Sequence, residues 1–306
     1  MIAVVIPTTP PQKRRSLPPW LKAELPSGAR YERVKDQMKS GVLHTVCEEA
    51  RCPNIGECWN GGTATFMVLG DTCTRGCRFC SVETARTPPP PDPLEPIRLA
   101  DSLAKLELNY AVITTVCRDD LPDQGAAHIA LCVRAIRDRA PSVLQEFLIQ
   151  DFRGDLECLD TVVRAKPDVL AHNLETVERL THPVRDIRAG YRQSIDVLAA
   201  IKRMDPAMKT KTSLMLGLGE RDQEVSRAML DLREAGVDIL TLGQYLRPSR
   251  ETRHLPVVEF VSPDRFAALE IEAKAMGFLY IASGPMVRSS YRAGELFLEG
   301  LLRTER

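Results

Sequence analysis

The stretch from Thr63 to Ser81, TATFMVLGDTCTRGCRFCS, constrains this chain more than any other. Its opening, Thr63 to Gly70, is rich in apolar and β-branched residues, the pattern of a strand buried on both faces. A loop follows at once and carries Cys73, Cys77 and Cys80 at C-x3-C-x2-C, so the thiols stand just beyond the strand's carboxyl end. That edge is where parallel α/β barrels assemble their chemistry. Three thiolates with no neighbouring histidine are one ligand short of a closed tetrahedral zinc site. They suit a 4Fe-4S cluster that leaves one iron open to a small-molecule chelator. A zinc loop, or three structural thiols, is the plainer alternative for this motif taken alone.

With an aromatic residue, Phe79, before the last cysteine, the spacing resembles the radical S-adenosylmethionine (SAM) superfamily. The resemblance implies that SAM binds the open iron and is cleaved to a 5'-deoxyadenosyl radical. A second group lies just upstream: Cys47, Cys52 and Cys58, at C-x4-C-x5-C in CEEARCPNIGECW, where Pro53, Asn54 and Gly56 make a tight loop. It too offers only three thiolates. Together the two groups resemble the double-cysteine signature of the lipoyl synthase family, in which the first binds an auxiliary 4Fe-4S cluster and the second the radical-SAM cluster. Further similarity runs through CRDDLPDQGA at 117–126, AHNLETVERL at 171–180, VRDIRAGYRQS at 184–194, SLMLGLGE at 213–220, LTLGQYLRPS at 240–249 and SGPMVRSSYRAGE at 283–295. It covers residues 20 to 295.

Between these motifs strand-like and helix-like patterns alternate. Tyr110–Val116, Phe147–Phe152, Val169–Asn173, Lys211–Leu216 and Ile239–Leu246 read as buried strands. Amphipathic helices are expected over Ile129–Arg139, Leu156–Ala165, Ser194–Met204 and Glu224–Ala235, the last closed by Gly236. With Thr63–Gly70 this makes six βα units, and right-handed crossovers turn them into a parallel sheet. The expected fold is α/β, a partial (β/α)6 barrel with N- and C-terminal extensions, as the resemblance also implies. Its open side would admit a bulky substrate. The expected division is an extended arm over 1–30, an extension with the auxiliary loop over 31–62, the barrel over 63–260, and a C-terminal helix, strand and RSSY segment over 261–306. Pro18-Pro19-Trp20-Leu21 is expected to lie extended on the main domain, Tyr31–His44 as a helix, Pro88–Pro96 as a stiff linker, Asp264–Met276 as a helix and Phe278–Ala282 as a short strand.

Forty-one basic and 41 acidic residues balance, so overall charge gives no argument for nucleic acid or an anionic membrane surface. No apolar run approaches a membrane span, and the N-terminal order of apolar residues before basic ones is wrong for a secretory signal. Nine cysteines, six of them in two tight triplets, fit metal binding in a reducing compartment better than a disulfide framework. A cytoplasmic setting is expected, with no nucleic-acid and no membrane partner.

The resemblance implies roles for single residues. Ser290 of the RSSY motif is the fourth ligand of the auxiliary cluster, a harder and more labile ligand than a thiolate. Asn173, Glu175 and Arg188 make polar contacts to SAM, with Glu175 at a ribose hydroxyl or the ammonium and Arg188 at the carboxylate. Thr114 and Thr115 stand near the methionyl amine. Cys117 departs from the family, which places an aspartate there, and reads as a small buried thiol rather than a ligand. Cys132 and Cys158 fall on helical faces as core residues. Arg118, Asp119 and Asp120 form a charged rim with a positioning role. His44, His172 and His254 share no metal-binding spacing.

The implied activity is insertion of two sulfur atoms, at carbons six and eight of an octanoyl chain amide-linked to a carrier lysine, using two 4Fe-4S clusters and SAM. Implied partners are octanoylated lipoyl carrier domains, either 2-oxoacid dehydrogenase E2 subunits or the glycine cleavage H protein, with a flavodoxin or ferredoxin as electron donor and an iron–sulfur carrier protein. Two alternatives stand beside it. One is another radical-SAM enzyme that inserts sulfur or transfers methylthio groups; the other is a non-enzymatic zinc or iron–sulfur scaffold.

Overall fold

The computed structural model describes residues 17–22, 26–28, 31–36, 44–45, 52, 54–61, 63–106, 108 and 110–290. Its frame is one eight-stranded sheet. Strand β1 (His44–Thr45) runs antiparallel to β2 (Thr63–Val68). Two-residue strands β3 (Thr72–Cys73) and β4 (Glu83–Thr84) form a separate pair that brackets the cysteine loop. The other strands are β5 (Tyr110–Thr115), β6 (Leu144–Leu148), β7 (Val169–Ala171), β8 (Lys209–Leu216), β9 (Ile239–Gln244) and β10 (Tyr280–Gly284). From β2 onward all seven strands of the large sheet are parallel, in the order β1-β2-β5-β6-β7-β8-β9-β10. The two edges are not paired with each other among the described residues. The barrel is open.

The helices are α1 (Ile55–Gly61), α2 (Glu95–Leu106), α3 (Ala126–Arg139), α4 (Leu156–Val163), α5 (Thr181–Val184), α6 (Tyr191–Met204), α7 (Asp222–Glu234) and α8 (Pro263–Ala275). Local chemistry sets their ends. Asp155 accepts from the Glu157 and Cys158 amides and starts α4; Ser262 accepts from the Arg265 amide ahead of Pro263 and starts α8. Gly236, at φ 81°, closes α7 as its neighbour Val237 donates back to the Leu232 carbonyl.

Strand alternation sorts the core into two faces. Phe66, Ile113, Phe147 and Leu170 point outward and bury against Leu99, Leu103, Ile129, Val133, Ile136 and Val162 of the helices. Each such side chain contributes roughly 1.5–3 kcal/mol of transfer free energy. Tyr110, Val112, Leu144, Val169 and Ile239 share the opposite face and meet as one cluster, with Tyr280 against it. Their convergence marks the concave side of the curled sheet.

Several elements differ from expectation. Strand β6 spans Leu144–Leu148 rather than Phe147–Phe152, because its buried Gln145 and Glu146 break the apolar run that a periodicity reading follows. Glu146 is tolerated there because Lys211 Nζ lies 2.7 Å and 2.8 Å from its two oxygens and Tyr110 Oη donates at 2.7 Å. Phe152 instead opens a tight 3-10 turn with φ 45°. Helix α2 begins at Glu95, inside the expected proline linker. Strand β10 pairs with β9 and adds a seventh parallel strand. His44 lies in a strand, whereas the expected helix is described only over 31–36 and its positions 37–43 fall outside the described residues. Pro19–Leu21 forms a 3-10 turn that buries Leu21 and leaves Trp20 exposed, in place of an extended arm.

Candidate active site

The loop after β2 leaves the sheet at Leu69 and Gly70, both at positive φ (70° and 88°), and this turn places Cys73, Cys77 and Cys80 over the carboxyl ends of the strands. Backbone contacts hold the loop on three sides. Thr74 donates to the Cys117 carbonyl at 2.9 Å, Arg78 to the Val184 carbonyl at 2.9 Å, and Leu255 to the Arg78 carbonyl at 3.1 Å. His254 adds a hydrogen bond to the Cys80 carbonyl at 2.9 Å, with its other ring nitrogen on Ser249.

The sulfurs meet backbone N–H groups. Cys73 Sγ accepts from Arg75 at 3.4 Å and Cys117 at 3.3 Å, and Cys77 Sγ from Asp186 at 3.3 Å. A hydrogen bond from the Cys117 side chain, against the opposing effect of burial, lowers the Cys73 thiol to about 7. Burial pushes Cys77 up to about 12 and Cys80 to about 11. None of the described cysteines is in a disulfide. Tetrahedral zinc with bonds of about 2.3 Å draws its sulfurs to within ~3.8 Å of one another. The three thiols are not gathered that closely, since among the described residues only Glu95, His128 and Cys132 bring three such ligand atoms within 4.8 Å. A wider, multi-iron group fits the triplet better than a single ion.

Beneath the loop lies a charge network that sequence reading found only in part. Arg75, 4% exposed, donates to both oxygens of Asp119 at 2.7 Å and 2.9 Å and to Asp151 at 2.8 Å. Although burial opposes the shift, the hydrogen bond from Arg75 holds Asp151 down to about 2. Arg118 and Asp120 form a second pair at 2.8 Å. Arg118, buried, donates to the Leu69 carbonyl and Asp119, half-buried, accepts from Arg75, so both hold the loop, whereas Asp120 is exposed. Arg75 and Asp151 were missed, and the only sequence signal was polar residues inside otherwise apolar or cysteine-bearing segments.

The residues expected around SAM separate into groups. Thr114 shares the concave face with Tyr110 and Glu146, whereas Thr115 lies on the helix side and its hydroxyl meets the Leu148 carbonyl at 3.5 Å. Beyond β7, Glu175 sits at φ 68°, its backbone bridged to β8 through Ser213 and Met215 at 2.9 Å each. A non-glycine residue held in this conformation is strained. Burial raises its carboxyl, against the charge of Arg185 and a hydrogen bond from Asn173. Asn173 and Glu175 are therefore together. Arg188 is anchored, with Asp186 on Nε at 2.8 Å, the Thr74 carbonyl at 2.6 Å and Asp119 at 3.3 Å. Arg185, not singled out from sequence, is the buried guanidinium nearer Glu175, donating to Ser194 Oγ at 2.8 Å beside His172.

For the second cysteine group, Cys47 lies outside the described residues. Cys52 and Cys58 bracket the start of α1, where the Cys58 amide donates to the Asn54 carbonyl at 2.9 Å. The C-terminal turn docks on this loop. Asn54 Nδ2 donates to the Met286 carbonyl at 2.6 Å, and Arg288 lies within electrostatic reach of Cys52. Gly243 permits the approach, since a Cβ there would meet the Val287 carbonyl oxygen at 2.1 Å. Arg288 Nη1 is spent on the Pro285 and Val287 carbonyls, yet its Nη2 is buried without a hydrogen-bond partner among the described residues. An anionic group at Cys52 would satisfy that nitrogen, and an iron–sulfur cluster on thiolates is anionic. Ser289 and Ser290 follow directly.

The Glu95, His128 and Cys132 group is a latch rather than a metal site. Glu95 Oε2 accepts from the Leu69 amide at 2.8 Å and meets His128 Nε2 at 2.6 Å, while Oε1 accepts from Gly70 at 3.4 Å. Two ligands on one tetrahedral ion stand about 3.3 Å apart, so 2.6 Å is a hydrogen bond. The latch fixes the turn that launches the cysteine loop.

Comparison with known proteins agrees with this architecture. Residues 67–243 match the radical SAM superfamily, and residues 8–52 match the N-terminal domain of lipoyl synthase of the radical SAM family. A lipoyl synthase of Anaeromyxobacter sp. (strain Fw109-5) is 59% identical over 285 residues, which are 93% of this chain and 96% of the relative. A mitochondrial lipoyl synthase of Aedes aegypti is 57% identical over 295 residues, 95% of this chain and 75% of the relative. Among solved structures, the FeFe-hydrogenase maturase HydG of Carboxydothermus hydrogenoformans superposes with a TM-score of 0.57 at 10% identity, covering 82% of this chain and 64% of that one. Methylornithine synthase gives 0.54 at 11% identity, covering 78% and 72%. At these identities the structural likeness speaks to the fold alone. No helix among the described residues is long and apolar enough to cross a membrane.

Proposed function

This chain belongs to the lipoyl synthase family of the radical SAM superfamily, and on that premise we propose that it inserts two sulfur atoms at carbons six and eight of an octanoyl chain carried on a protein lysine. Family membership implies a 4Fe-4S cluster and SAM, and lipoyl-carrier proteins as substrates. The finer proposal is that Cys73, Cys77 and Cys80 hold the SAM-binding cluster, while Cys47, Cys52, Cys58 and Ser290 hold a second, sulfur-donating one. The contact of the 285–288 turn with Asn54 supports this reading, because Ser289 and Ser290 directly follow that turn.

When bound, the cluster on Cys73, Cys77 and Cys80 supplies the electron that cleaves SAM, giving a radical able to take hydrogen from unactivated C–H bonds. The chain's own residues orient and enclose. Asn173 and Glu175, held by the strained bridge to β8, grip the cofactor's amine or ribose, and Thr114 stands on the concave side of β5. Thr115, turned toward the helices, supports that strand instead. Arg188 first orients the cysteine loop through Asp186, Asp119 and Thr74, and reaches the SAM carboxylate only with the N–H groups those partners leave. At the auxiliary site Arg288 offers positive charge beside Cys52, and the Ser290 oxygen is the more readily released ligand.

The carriers we propose are octanoylated E2 or H-protein domains, with a flavodoxin or ferredoxin as reductant, an iron–sulfur carrier protein for rebuilding the second cluster, and a reducing compartment. We propose the division at 30, 62 and 260 as a functional one, although β10 is a strand of the barrel's own sheet and α8 packs against it. Anaerobic turnover with SAM and dithionite tests the reading. An octanoylated lysine peptide gains two sulfurs by mass while free octanoic acid does not, and equal conversion of both overturns the carrier-borne substrate. Iron analysis gives about eight irons per chain and little zinc if two clusters are present.

A further inference from the structure

The chain carries no net charge, so a local excess of one sign stands out. The segment RPSRETRH at 247–254, just beyond β9, sets Arg247, Arg250 and Arg253 against one carboxylate, Glu251. It lies along the cysteine loop. His254 Nε2 meets the Cys80 carbonyl at 2.9 Å, the Leu255 amide donates to the Arg78 carbonyl at 3.1 Å, and Arg78 Nε donates to the Arg253 carbonyl at 3.2 Å. A fourth guanidinium, that of Arg78, thereby joins the group. Arg78 also donates to the Pro183 carbonyl, and Arg247 to the carbonyls of Arg250 and Glu251; such bonds satisfy N–H groups without cancelling charge. Among the described residues, the ion pair these four arginines make is Arg253 with Glu251 at 2.9 Å, on the surface, where pairing is weak. Arg247 and Arg250 are exposed. The side of the loop toward β5, β6 and β7 is different, because there Arg75 and Arg188 are matched by Asp119, Asp151 and Asp186. The uncompensated positive charge stands on one lip.

We propose that this basic lip, Arg78 with Arg247, Arg250 and Arg253, is the surface on which the carrier domain docks, and that the carrier face around the octanoylated lysine is acidic. The proposal rests on the function proposed above and names the partner surface of that same site. The acyl chain has to pass the cysteine loop to reach the concave side of the sheet, while the folded carrier stays outside. Its body therefore rests on segments that border the loop, and 247–254 borders it at Arg78 and Cys80. Arginine is enriched at protein interfaces, and its planar fork matches a carboxylate. Charges at an interface rim act chiefly on association and on its sensitivity to salt. The lip accordingly governs the KM for the carrier and leaves kcat alone.

Steady-state turnover of the reconstituted enzyme tests this with two substrates, an octanoylated carrier domain and an octanoylated lysine in a short uncharged peptide. The variants are Arg250→Glu combined with Arg253→Glu, and, as a control, Arg164→Glu at the exposed end of α4 that leads toward β7. The double variant is expected to raise the carrier KM about tenfold at unchanged kcat, and to leave the peptide KM where it was. Added sodium chloride should raise the carrier KM of wild type more steeply than that of the double variant, and Arg164→Glu should behave as wild type. Peptide turnover at the wild-type rate shows that the double variant is folded and loaded. An unchanged carrier KM overturns the docking proposal and leaves the proposed function intact, as does an equal rise for both substrates or an equal effect of Arg164→Glu. If the carrier KM is unchanged while the reversal abolishes retention of an RNA oligonucleotide on filters, the lip serves nucleic acid and the proposal fails. Absence of sulfur insertion by wild type on either substrate overturns the proposed function itself.

Discussion

The two cysteine regions of this protein are built on opposite plans. The Cys73–Cys80 loop is fastened to the barrel by a buried arginine on two carboxylates, by backbone bonds to three neighbouring segments and by amides aimed at its sulfurs. The Cys52–Cys58 segment packs Cys58 and Trp59 into the core, and among the described residues Asn54 ties it to the C-terminal turn through the Met286 carbonyl. A centre that must repeat one electron transfer gains from a fixed frame, whereas a centre that gives up sulfur needs a ligand that lets go. On the proposed assignment, the difference between the loops is one between preorganisation and release.

The sharpest way to break the comparison is to remove each triplet in turn. Cys73, Cys77 and Cys80 changed together to Ala should abolish SAM cleavage, read as loss of 5'-deoxyadenosine. Cys47, Cys52 and Cys58 changed to Ala should leave cleavage and stop sulfur insertion. Lipoyl product from the second variant would end the sulfur-donor reading.

Next in size is the frame itself. Arg75→Ala strands Asp119 and Asp151 as buried charges, and should cost about 3–5 kcal/mol of stability by denaturant unfolding. Asp101→Ala, at the exposed pair with Arg139, should leave the unfolding midpoint essentially unchanged. Equal effects would show that the loop does not depend on its buried network.

Ser290→Cys tests release. The variant should keep both clusters but yield product more slowly, since a thiolate corner resists opening. Wild-type rates would move the fourth ligand elsewhere.

Acid sensitivity comes next. Burial, with Arg185 nearby, lowers the His172 imidazole to about 4, so it is neutral in the folded protein. The unfolded chain, with an ordinary value near about 6.5, binds the proton first, and stability falls as pH drops from about 6.5 toward 4, by up to about 3 kcal/mol. His172→Gln should flatten that part of the pH–stability curve. An unaltered curve would assign the acid loss to other groups. The smallest effect is expected from Ser289→Ala, which should lower product formation only slightly in the assay that separates Ser290→Cys from wild type.

Much of this protein could be read directly from its residues. The Thr63–Ser81 stretch announced a strand feeding a thiol loop, and the apolar runs at 110–116, 169–173, 211–216 and 239–246 announced parallel strands, because burial on both faces leaves an unmistakable local pattern. Caps and a terminal glycine marked helix ends for the same reason, being satisfied within a few residues. Strand β6 hid behind Gln145 and Glu146, since a buried glutamate makes sense only when Lys211, 65 positions later, is seen to pair with it. Arg75, Asp151 and Arg185 were hidden likewise. The sequence by itself determined which residues could carry chemistry and the parallel α/β class, both properties of side-chain type and near-neighbour spacing. Only the tertiary structure decided which face Thr114 and Thr115 take, that Arg188 is an anchor, that the 285–288 turn meets Asn54, and that the Cys117 amide meets the Cys73 sulfur. Those facts depend on contacts between distant segments, which local pattern does not encode and the curling of the sheet does.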